Sequence, residues 1–444
     1  MVRTLVVCAV WLLAGTWLRA DDWPQWLGPQ RDGVWRETGI LRKFPTNGPA
    51  ARWRTPIGSG YTGPAVVAGR VFVCDRVVES TSVAPTKNSP KAATSGKERV
   101  LCLDEITGKI LWQHEYDCAY AMGYPAGPRA TPTVSDGKVY TVGAEGHLRC
   151  LETATGKVVW SREFKKEFGV KTPTWGFAGH PLVDGQKLIC LVGGPESLVV
   201  AFDKDTGKEL WRALNDREPG YSPPMIYQAG GRRQLIMWHP EALDSLDPET
   251  GKVYWTQPFG ARVGLVIATP RKLDDLLFVT AFYNGPMMMR FAADQPAATL
   301  LWRGKSDSER QTDGLHAIMC TPFLEDGHIY GVCSYGQLRC LKTGTGERLW
   351  ETFAATTGDT PVRWANAFLI KNGEVFFLPN EKGDLIIARL SPKGYEELSR
   401  AHLLEPTNRD PGRMVVWSHP AFANRCCYTR NDKEIICVSL AAEK

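Results

Sequence analysis

Short runs in which apolar and polar residues alternate recur along the whole chain, and turns containing glycine separate them. Alternation with a period of two residues is typical of β-strands that pack one face on a core. One phrase, apolar-Asp-x-x-Thr-Gly-Lys-x-x-Trp, returns in more or less complete form about every 48 residues. The pattern therefore predicts an all-β fold made of similar units.

The phrase is a strand end, a turn and the start of the next strand. Its copies are Leu103–Trp112, Leu151–Trp160, Phe202–Trp211, Leu246–Trp255 and Leu341–Trp350, with Trp302 in a degenerate sixth copy and Tyr395–Leu398 in a seventh that lacks Trp. Asp and Thr side chains can bond the turn backbone, and glycine supplies the positive φ that reverses the chain. We expect the Trp that follows to pack against the neighbouring unit.

A short strand precedes each unit, and a small or polar residue followed by proline opens it. These openings are Gly63-Pro64, Thr131-Pro132, His180-Pro181, Ser222-Pro223, Thr269-Pro270, Thr321-Pro322 and His419-Pro420, with Asn366-Ala367 in the remaining place. Four short strands per unit are one blade of a β-propeller. Eight openings predict eight blades, and seven is the main alternative.

The last unit, residues 417–440, supplies only three strands before the chain stops. Residues 51–57 carry Trp53 in the Trp position of the phrase. We therefore predict an eight-bladed β-propeller, residues 51–442, in which the N-terminal strand completes the C-terminal blade. Closing the ring in this way removes exposed sheet edges.

Three segments depart from the blade pattern. Residues 1–20 have the charged start, the apolar run of about 14 residues and the small residue before Asp21 that a secretory signal peptide has. This predicts an exported protein, periplasmic or associated with the cell envelope; whether the signal is cleaved stays open. Residues 21–50 are expected to form an arm laid over the propeller, anchored by Trp23, Trp26 and Trp35. Residues 79–97 are polar and are expected to form a loop insertion.

The charge and the cysteine content exclude few functions. The net charge of +5 falls to +3 without Arg3 and Arg19, and its scatter does not favour nucleic-acid binding. Eleven cysteines remain after the signal, an odd number. Four of them, Cys102, Cys150, Cys340 and Cys437, occupy the same position in their repeats, as small buried apolar residues would. Cys333 and Cys340 flank a turn and are a candidate disulfide.

The repeats resemble a known family. The Thr-Gly-Lys-x-x-Trp phrases resemble the tryptophan-docking repeats of pyrroloquinoline-quinone dehydrogenases and of the outer-membrane assembly protein BamB. The segment WPQWLGPQRDGV followed by these blades is similar to the exported bacterial PQQ-binding-like β-propeller repeat proteins. The resemblance covers residues 21–442 and implies the fold, but fold does not determine function.

The resemblance to the dehydrogenases implies a catalytic Asp, a Ca²⁺ site of Glu, Asn and Asp, a Trp beneath the quinone and often a vicinal disulfide. Cys426-Cys427 is the only adjacent cysteine pair, and it falls in a predicted middle strand instead of a loop. Asp and Asn are sparse at the strand openings. No catalytic residue is therefore assigned and no cofactor is predicted, while PQQ with Ca²⁺ stays the alternative.

The loops that lead into the innermost strands meet at one mouth of the central channel, which is the expected ligand site. The candidate residues there are Tyr61, Tyr124, Arg129, Trp175, His180, Tyr221, Arg262, His316, Arg363, Trp364, Trp417 and His419. Aromatic faces with Arg side chains suit a sugar ring, a quinone or an anionic group. The alternative is that these aromatic residues only pack blade against blade. The three histidines are joined by no Cys or carboxylate, so no metal site is predicted.

These observations favour a non-catalytic scaffold that binds a protein, peptide or glycan of the cell envelope at the mouth. The alternative is a pyrroloquinoline-quinone-dependent dehydrogenase or a related redox enzyme. A hydrolase or lyase acting on polysaccharide is a third hypothesis, and it needs paired carboxylates at the mouth.

Overall fold

The computed structural model describes residues 21–83, 93–216 and 218–442. Within them, eight antiparallel sheets of four strands each form the blades of a propeller, and innermost strands of neighbouring blades contact each other. The all-β, eight-bladed prediction is confirmed. The predicted signal peptide, residues 1–20, lies outside the described residues.

Each blade runs from an innermost strand at the channel to an outermost strand at the surface. The first four blades contain, from inside outward, Ala65–Val67, Arg70–Val83, Ala93–Asp104 and Ile110–Asp117; Thr133–Ser135, Lys138–Val142, His147–Glu152 and Val158–Glu163; Leu182–Asp184, Lys187–Leu191, Val199–Asp203 and Glu209–Ala213; Met225–Ala229, Arg232–Trp238, Ala242–Leu246 and Val253–Pro258. The last four contain Arg271–Leu273, Leu276–Ala281, Gly285–Phe291 and Ala298–Arg303; Phe323–Glu325, His328–Val332, Leu338–Lys342 and Arg348–Thr352; Ile370–Asn372, Val375–Pro379, Asp384–Ser391 and Gly394–His402; Ala421–Ala423, Cys426–Arg430, Glu434–Ser439 and Ala51–Pro56.

Three further elements lie between blades. They are an α-helix at Phe164–Phe168, a 3₁₀ turn at Arg262–Gly264 and a two-stranded hairpin formed by Asn408–Asp410 and Arg413–Val415. No helix in the described part of the chain has the length and apolar character needed to cross a lipid bilayer.

The N-terminal strand closes the ring as predicted. Ala51–Pro56 pairs with Glu434–Ser439, with Trp53 opposite Cys437. The Trp53 indole N–H donates to the Glu105 carbonyl of blade 1 at 2.8 Å. Blade 8 is thus joined to blade 1 by the contact that the repeated Trp makes elsewhere in the ring.

That contact explains why the turn of the phrase requires glycine. Trp160 of blade 2 donates its indole N–H to the Lys204 carbonyl at 3.0 Å and lies under the turn that contains Gly207. Gly207 has φ +70°, and a Cβ there would lie 2.6 Å from the Trp160 ring. Glycine is therefore required at this position for two reasons: it adopts the positive φ without strain, and it leaves room for the indole. The predicted role of the Trp in packing between blades is confirmed.

The prediction of a loop over residues 79–97 is wrong at both of its ends. The two middle strands of blade 1 continue through Val83 and resume at Ala93, so they form a long ribbon. Polar composition does not prevent this, because the hydrogen bonds between the two strands join backbone groups, which polar residues carry as apolar residues do. Residues 84–92 lie outside the described residues.

The proposed Cys333–Cys340 disulfide is also wrong. Cys340 pairs across the hairpin with Tyr330, while the Cys333 backbone N–H bonds to the Gln337 carbonyl. The two cysteines are therefore not opposite each other, and all eleven cysteines in the described residues are free and buried. The shared position of Cys102, Cys150, Cys340 and Cys437 is the one directly across the sheet from the repeated Trp.

The segment that precedes the first strand fills the end of the channel opposite the mouth. Trp23 exchanges two backbone hydrogen bonds with Val66 of blade 1, at 2.8 and 2.9 Å. Arg31, only 4% exposed, donates to the carbonyl of Pro181 at 3.1 Å, and Trp35 bonds through its backbone to Lys371 of blade 7. We call residues 23–35 the plug. The propeller thus has a channel that is open at one end only.

Candidate functional site

The open end of the channel is a cavity of about 190 Å³. Every one of the eight loops that lead into the innermost strands contributes to it. The lining residues are Trp26, Tyr61, Gly63, Tyr124, Arg129, Thr131, Trp175, Ala178, His180, Tyr221, Leu265, Ile267, Ile318, Met319, Trp364, Phe368, Trp417 and His419. Their apolar and aromatic character, with a few polar groups, is what small-molecule and side-chain pockets have in common.

The floor of the cavity is formed by one indole of the plug and two imidazoles. Trp26 stacks on His180 with ring centroids 4.0 Å apart and planes 11° apart, and it packs on His419 at 4.4 Å. Its indole N–H donates to Thr269 Oγ1 at 2.9 Å. The plug therefore places an aromatic surface across the bottom of the cavity.

Hydrogen bonds to the backbone fix the tautomers of the two histidines. The Thr131 N–H donates to His180 Nδ1 at 2.8 Å, so the proton of His180 lies on Nε2. The His419 Nδ1–H donates to the Pro420 carbonyl at 2.7 Å, which leaves its Nε2 as an acceptor. Burial lowers the pKa of His419 to about 4 and holds the pKa of His180 well below its usual value. Both rings are neutral at pH 7, one with a free donor and one with a free acceptor.

One further polar atom on the floor has no partner. Thr131 is 2% exposed, and its Oγ1 makes no hydrogen bond to the described residues. Buried polar atoms are seldom left unsatisfied. A ligand group that reached the floor could donate to or accept from this hydroxyl.

Two aromatic residues of the wall have strained backbone conformations. Tyr124 has φ +52° and Trp364 has φ +65°, and their rings meet edge to face at 5.9 Å. Bulky residues rarely adopt positive φ, and such conformations cost about 1–3 kcal/mol each. The fold holds these side chains at the mouth at a cost in stability, which is a feature of binding sites.

The hairpin between blades 7 and 8 orients the tyrosines of the wall. The Tyr61 hydroxyl donates to Asn408 Oδ1 at 3.2 Å, and the Tyr124 hydroxyl donates to Asp410 Oδ1 at 2.9 Å. Burial raises the pKa of Tyr61 to about 12, so this phenol is neutral at pH 7. The turn-forming residues Asp410-Pro411-Gly412 signal this hairpin in the sequence. The hairpin is not part of the blade repeat, so the repeat pattern did not predict it.

Among the described residues, no carboxylate lines the cavity, and Arg129, the Arg that lines it, is engaged. The Arg129 guanidinium donates to the carbonyls of Gly123, Tyr124 and Gly127 and lies over the Tyr61 ring at 5.1 Å. Glu381, behind the wall, accepts from the Trp417 indole at 3.1 Å and from Arg413 at 2.9 Å. Charged groups therefore serve to hold the wall.

The structure brings nine of the twelve predicted site residues together around this cavity, namely Tyr61, Tyr124, Arg129, Trp175, His180, Tyr221, Trp364, Trp417 and His419. The other three do not line it. His316 is completely buried, with Nδ1 3.3 Å from the Phe282 carbonyl and Nε2 3.5 Å from Asp313. Arg262 lies over the Tyr283 ring, and Arg363 donates to the Tyr283 hydroxyl at 3.1 Å.

The position relative to each strand opening explains most of these placements. The residue two before the opening residue lines the cavity in seven of the eight loops: Tyr61, Arg129, Ala178, Ile267, Met319, Trp364 and Trp417. Arg363, one residue before Trp364, does not line the cavity; the two residues form a turn, and the Arg363 guanidinium lies over the Phe282 and Trp364 rings. The same spacing also predicts Ile267 and Met319 as lining residues, which a prediction based on polar and aromatic residues alone does not include. Trp26 could not be placed on the floor from the repeats, since it belongs to the plug.

A family model described as the outer membrane protein assembly factor BamB matches residues 96–295 and 245–444, more than half of the chain. The chain belongs to the BamB family. The recognition of BamB-like, PQQ-type repeats is thereby confirmed. No curated protein matches this BamB-family chain.

Solved structures similar to this BamB-family propeller share its fold at low identity. BamB from Moraxella catarrhalis is 16% identical with a TM-score of 0.54, and the match covers 88% of this chain and 99% of that one. Quinohemoprotein alcohol dehydrogenase from Comamonas testosteroni is 14% identical with a TM-score of 0.61, over 95% and 81%. The computationally designed Ika8 protein is 11% identical with a TM-score of 0.52, over 86% and 97%. These similarities show the fold alone.

The cavity of this BamB-family protein does not fit the quinone cofactor of the dehydrogenases. A Ca²⁺ ion takes six to eight oxygen ligands, mainly carboxylates and carbonyls. The side chains that line the cavity include no carboxylate, and the adjacent Asp410 and Glu381 are paired with Arg413. The guanidinium of Arg129, which could otherwise pair with an anionic group of a cofactor, already donates to three carbonyls.

Proposed function

We propose that this protein is an exported, non-catalytic scaffold that binds a protein, peptide or glycan of the cell envelope at the channel mouth. The observation that carries the proposal is the cavity itself. It is closed at one end, eight loops build it, and aromatic side chains without a carboxylate dominate its wall. Membership of the BamB family supports a role in assembly at the envelope, and residues 1–20 support export.

The chemistry of the cavity favours a ligand group with a flat apolar face and an uncharged polar tip. Trp175, Trp364 and Trp417 line the cavity and are half-buried, so part of each ring can contact a ligand, although the Arg363 guanidinium covers one face of Trp364. The floor offers the His180 Nε2–H donor and the His419 Nε2 acceptor. A sugar ring meets both requirements, as does an aromatic, proline or amide side chain that projects from a partner. Aromatic residues in a pocket of this kind carry most of the binding energy of an interface.

The test is affinity capture from an envelope extract, followed by binding of the purified partner or glycan. The variants are the wild type, the double variant Trp175→Ala/Trp417→Ala, and Tyr254→Ala as the control. Tyr254 lies on the outermost strand of blade 4, away from the mouth. We expect the wild type and the control to bind the same partner, and the double variant to lose at least about 2 kcal/mol of affinity, or roughly thirtyfold.

Two outcomes would contradict the proposal. Equal binding by the double variant would place the interface elsewhere on the propeller. Oxidation of an alcohol or sugar after addition of pyrroloquinoline quinone and Ca²⁺, with a change in the absorption spectrum, would establish the enzymatic alternative instead.

A further inference from the structure

A second polar cluster lies away from the mouth, at the contact between blades 1 and 2. Glu98 is in the third strand of blade 1, Cys118 follows the outermost strand of that blade, and His147 begins the third strand of blade 2. One ligand atom from each of the three side chains lies within 4.8 Å of the other two. Glu98 and Cys118 are 1% and 4% exposed.

The spacing of these atoms suits a small divalent cation. Cys118 Sγ and His147 Nδ1 are 3.6 Å apart. Two ligands bonded to a tetrahedral zinc at about 2.3 Å and 2.0 Å are about 3.5 Å apart. The donor set of one thiolate, one imidazole and one carboxylate is a zinc set, and it leaves the fourth position for a water molecule.

The outer hydrogen bond of the histidine is also the one that a metal ligand needs. His147 Nε2 faces Glu163 Oε2 at 3.2 Å, and Glu163 Oε1 accepts from Arg149 at 2.8 Å. A carboxylate at one imidazole nitrogen fixes the proton there and turns the lone pair of the other nitrogen toward the metal. Nδ1 is therefore free to bind a cation beside the sulfur of Cys118.

The buried carboxylate supports the same interpretation. Glu98 accepts hydrogen bonds from the Tyr116 and Tyr120 hydroxyls and from the Ala144 N–H at 2.9 Å, and no cationic side chain of the described residues pairs with it. Arg76, opposite Glu98 on the neighbouring strand, lies over the Tyr120 ring and donates to the Thr94 and Cys118 carbonyls, so it forms no ion pair with this carboxylate. Burying a carboxylate without a paired charge is costly. Oε2, bonded only by Tyr116, keeps a lone pair for a further ligand.

We propose that Glu98, Cys118 and His147 bind one zinc ion that joins blade 1 to blade 2, with Glu163 as the positioning residue for His147. A divalent cation would balance the charges of one thiolate and one carboxylate. The thiol proton of Cys118 is released to solvent when the metal binds. None of the three ligands lines the cavity at the channel mouth, and the proposal does not rest on the function proposed for that cavity.

The test is metal binding by the full chain without an affinity tag. Zinc content and zinc titration give the stoichiometry, and Co²⁺ gives a thiolate-to-cobalt charge-transfer band when a cysteine is a ligand. We expect one equivalent of zinc, a cobalt band, and a rise in melting temperature with zinc. Cys118→Ser and His147→Gln should abolish these signals, and Glu163→Gln should weaken the affinity about 10–100-fold.

The controls are Cys102→Ala and His114→Gln, which change a buried cysteine and a histidine in the outer strands of the same blade. Both should bind zinc like the wild type. Absence of stoichiometric zinc and of the cobalt band in the wild type would overturn the proposal, whether or not the variants fold. A cobalt band that persists in Cys118→Ser would overturn it as well.

Discussion

The two ends of the central channel are both built with tryptophan, but they use it in opposite ways. In the plug, Trp23 and Trp35 are each 1% exposed, and their rings pack on Phe422 of blade 8. At the mouth, Trp175 and Trp417 are half-buried and face the cavity. The sequence separates these two sets only by position, before the first strand or near a strand opening, and not by their exposure. Exposure to the cavity distinguishes them, whereas positive φ does not: it occurs at Leu27 and Arg31 of the plug as well as at Tyr124 and Trp364 of the mouth.

The largest difference in stability is expected between two variants, each of which replaces one tryptophan, in the plug or at the mouth. Trp23→Ala should lower the free energy of unfolding by about 3–5 kcal/mol, since a buried aromatic side chain leaves a cavity. Trp175→Ala should cost less than about 1.5 kcal/mol, because its ring is partly in water already. Denaturant titration with an unchanged slope is the measurement. Equal losses at the two ends would show that the mouth tryptophan is a packing residue.

A second prediction concerns the imidazoles between the two ends. Burial depresses the pKa of His419 to about 4, so above its unfolded pKa of about 6.5 it is neutral in both states. As the pH falls from about 6.5 to 4, only the unfolded chain takes up the proton. Stability should therefore fall by about 3 kcal/mol over this window on account of His419. His419→Gln should flatten this acid limb in denaturation measured at a series of pH values.

His239, buried behind the loop between blades 3 and 4, should show the opposite sign. Burial disfavours its charged form, but the hydrogen bonds that the protonated ring donates to the Asp216 and Asp244 carboxylates outweigh burial and raise the pKa of His239 to about 9. Its contribution is complete below about pH 6.5 and is lost as the pH rises through 9. His239→Gln should flatten the alkaline limb only. If both variants altered the same limb, the assignment of charge to these two rings would be wrong.

The smallest expected difference in the free energy of unfolding concerns the contacts between neighbouring blades. The two variants also test whether stability and ligand binding can be changed separately. Gly207→Ala and Gly137→Ala both place Ala at a positive φ, at about 1–2 kcal/mol. Only Gly207 lies against a Trp, so its variant should lose a further 1–3 kcal/mol or so. Both variants, while folded, should bind the partner as the wild type does. If chemical denaturation gave the same loss of stability for both variants, the close contact between Gly207 and the Trp160 ring would be contradicted.

The fold could be predicted from the sequence because each blade repeats one local rule. A turn glycine, a strand Trp and an opening proline recur at the same spacing, and the missing strand of blade 8 is visible as Trp53 near the start. The ribbon of blade 1 could not be predicted, since its pairing depends on the backbone and its side chains are polar. The Cys333–Cys340 pairing failed because the hairpin register is set by the backbone bond from Cys333 to Gln337.

The site was predictable to the extent that it follows the strand openings. His180, Trp364 and Trp417 lie at an opening or two residues before one, and all three line the cavity. His316 lies five residues before its opening, and the chain turns it into the interior. The Trp26 floor depends on how the plug crosses the channel, which no repeat encodes. Whether these residues bind a ligand stays a prediction.

The pairing of residues 51–56 with residues 434–439 sets the order in which the ring can be completed. Blades 1–7 are formed from consecutive segments, so each can assemble from nearby parts of the chain. Blade 8 and the plug must wait until both distant segments are available, and contacts of such large sequence separation form slowly. A chain that emerges from its N-terminus would therefore carry an unpaired edge strand and several exposed tryptophans until residues 421–439 arrive. During that interval the N-terminal segment has to be kept from pairing with other chains.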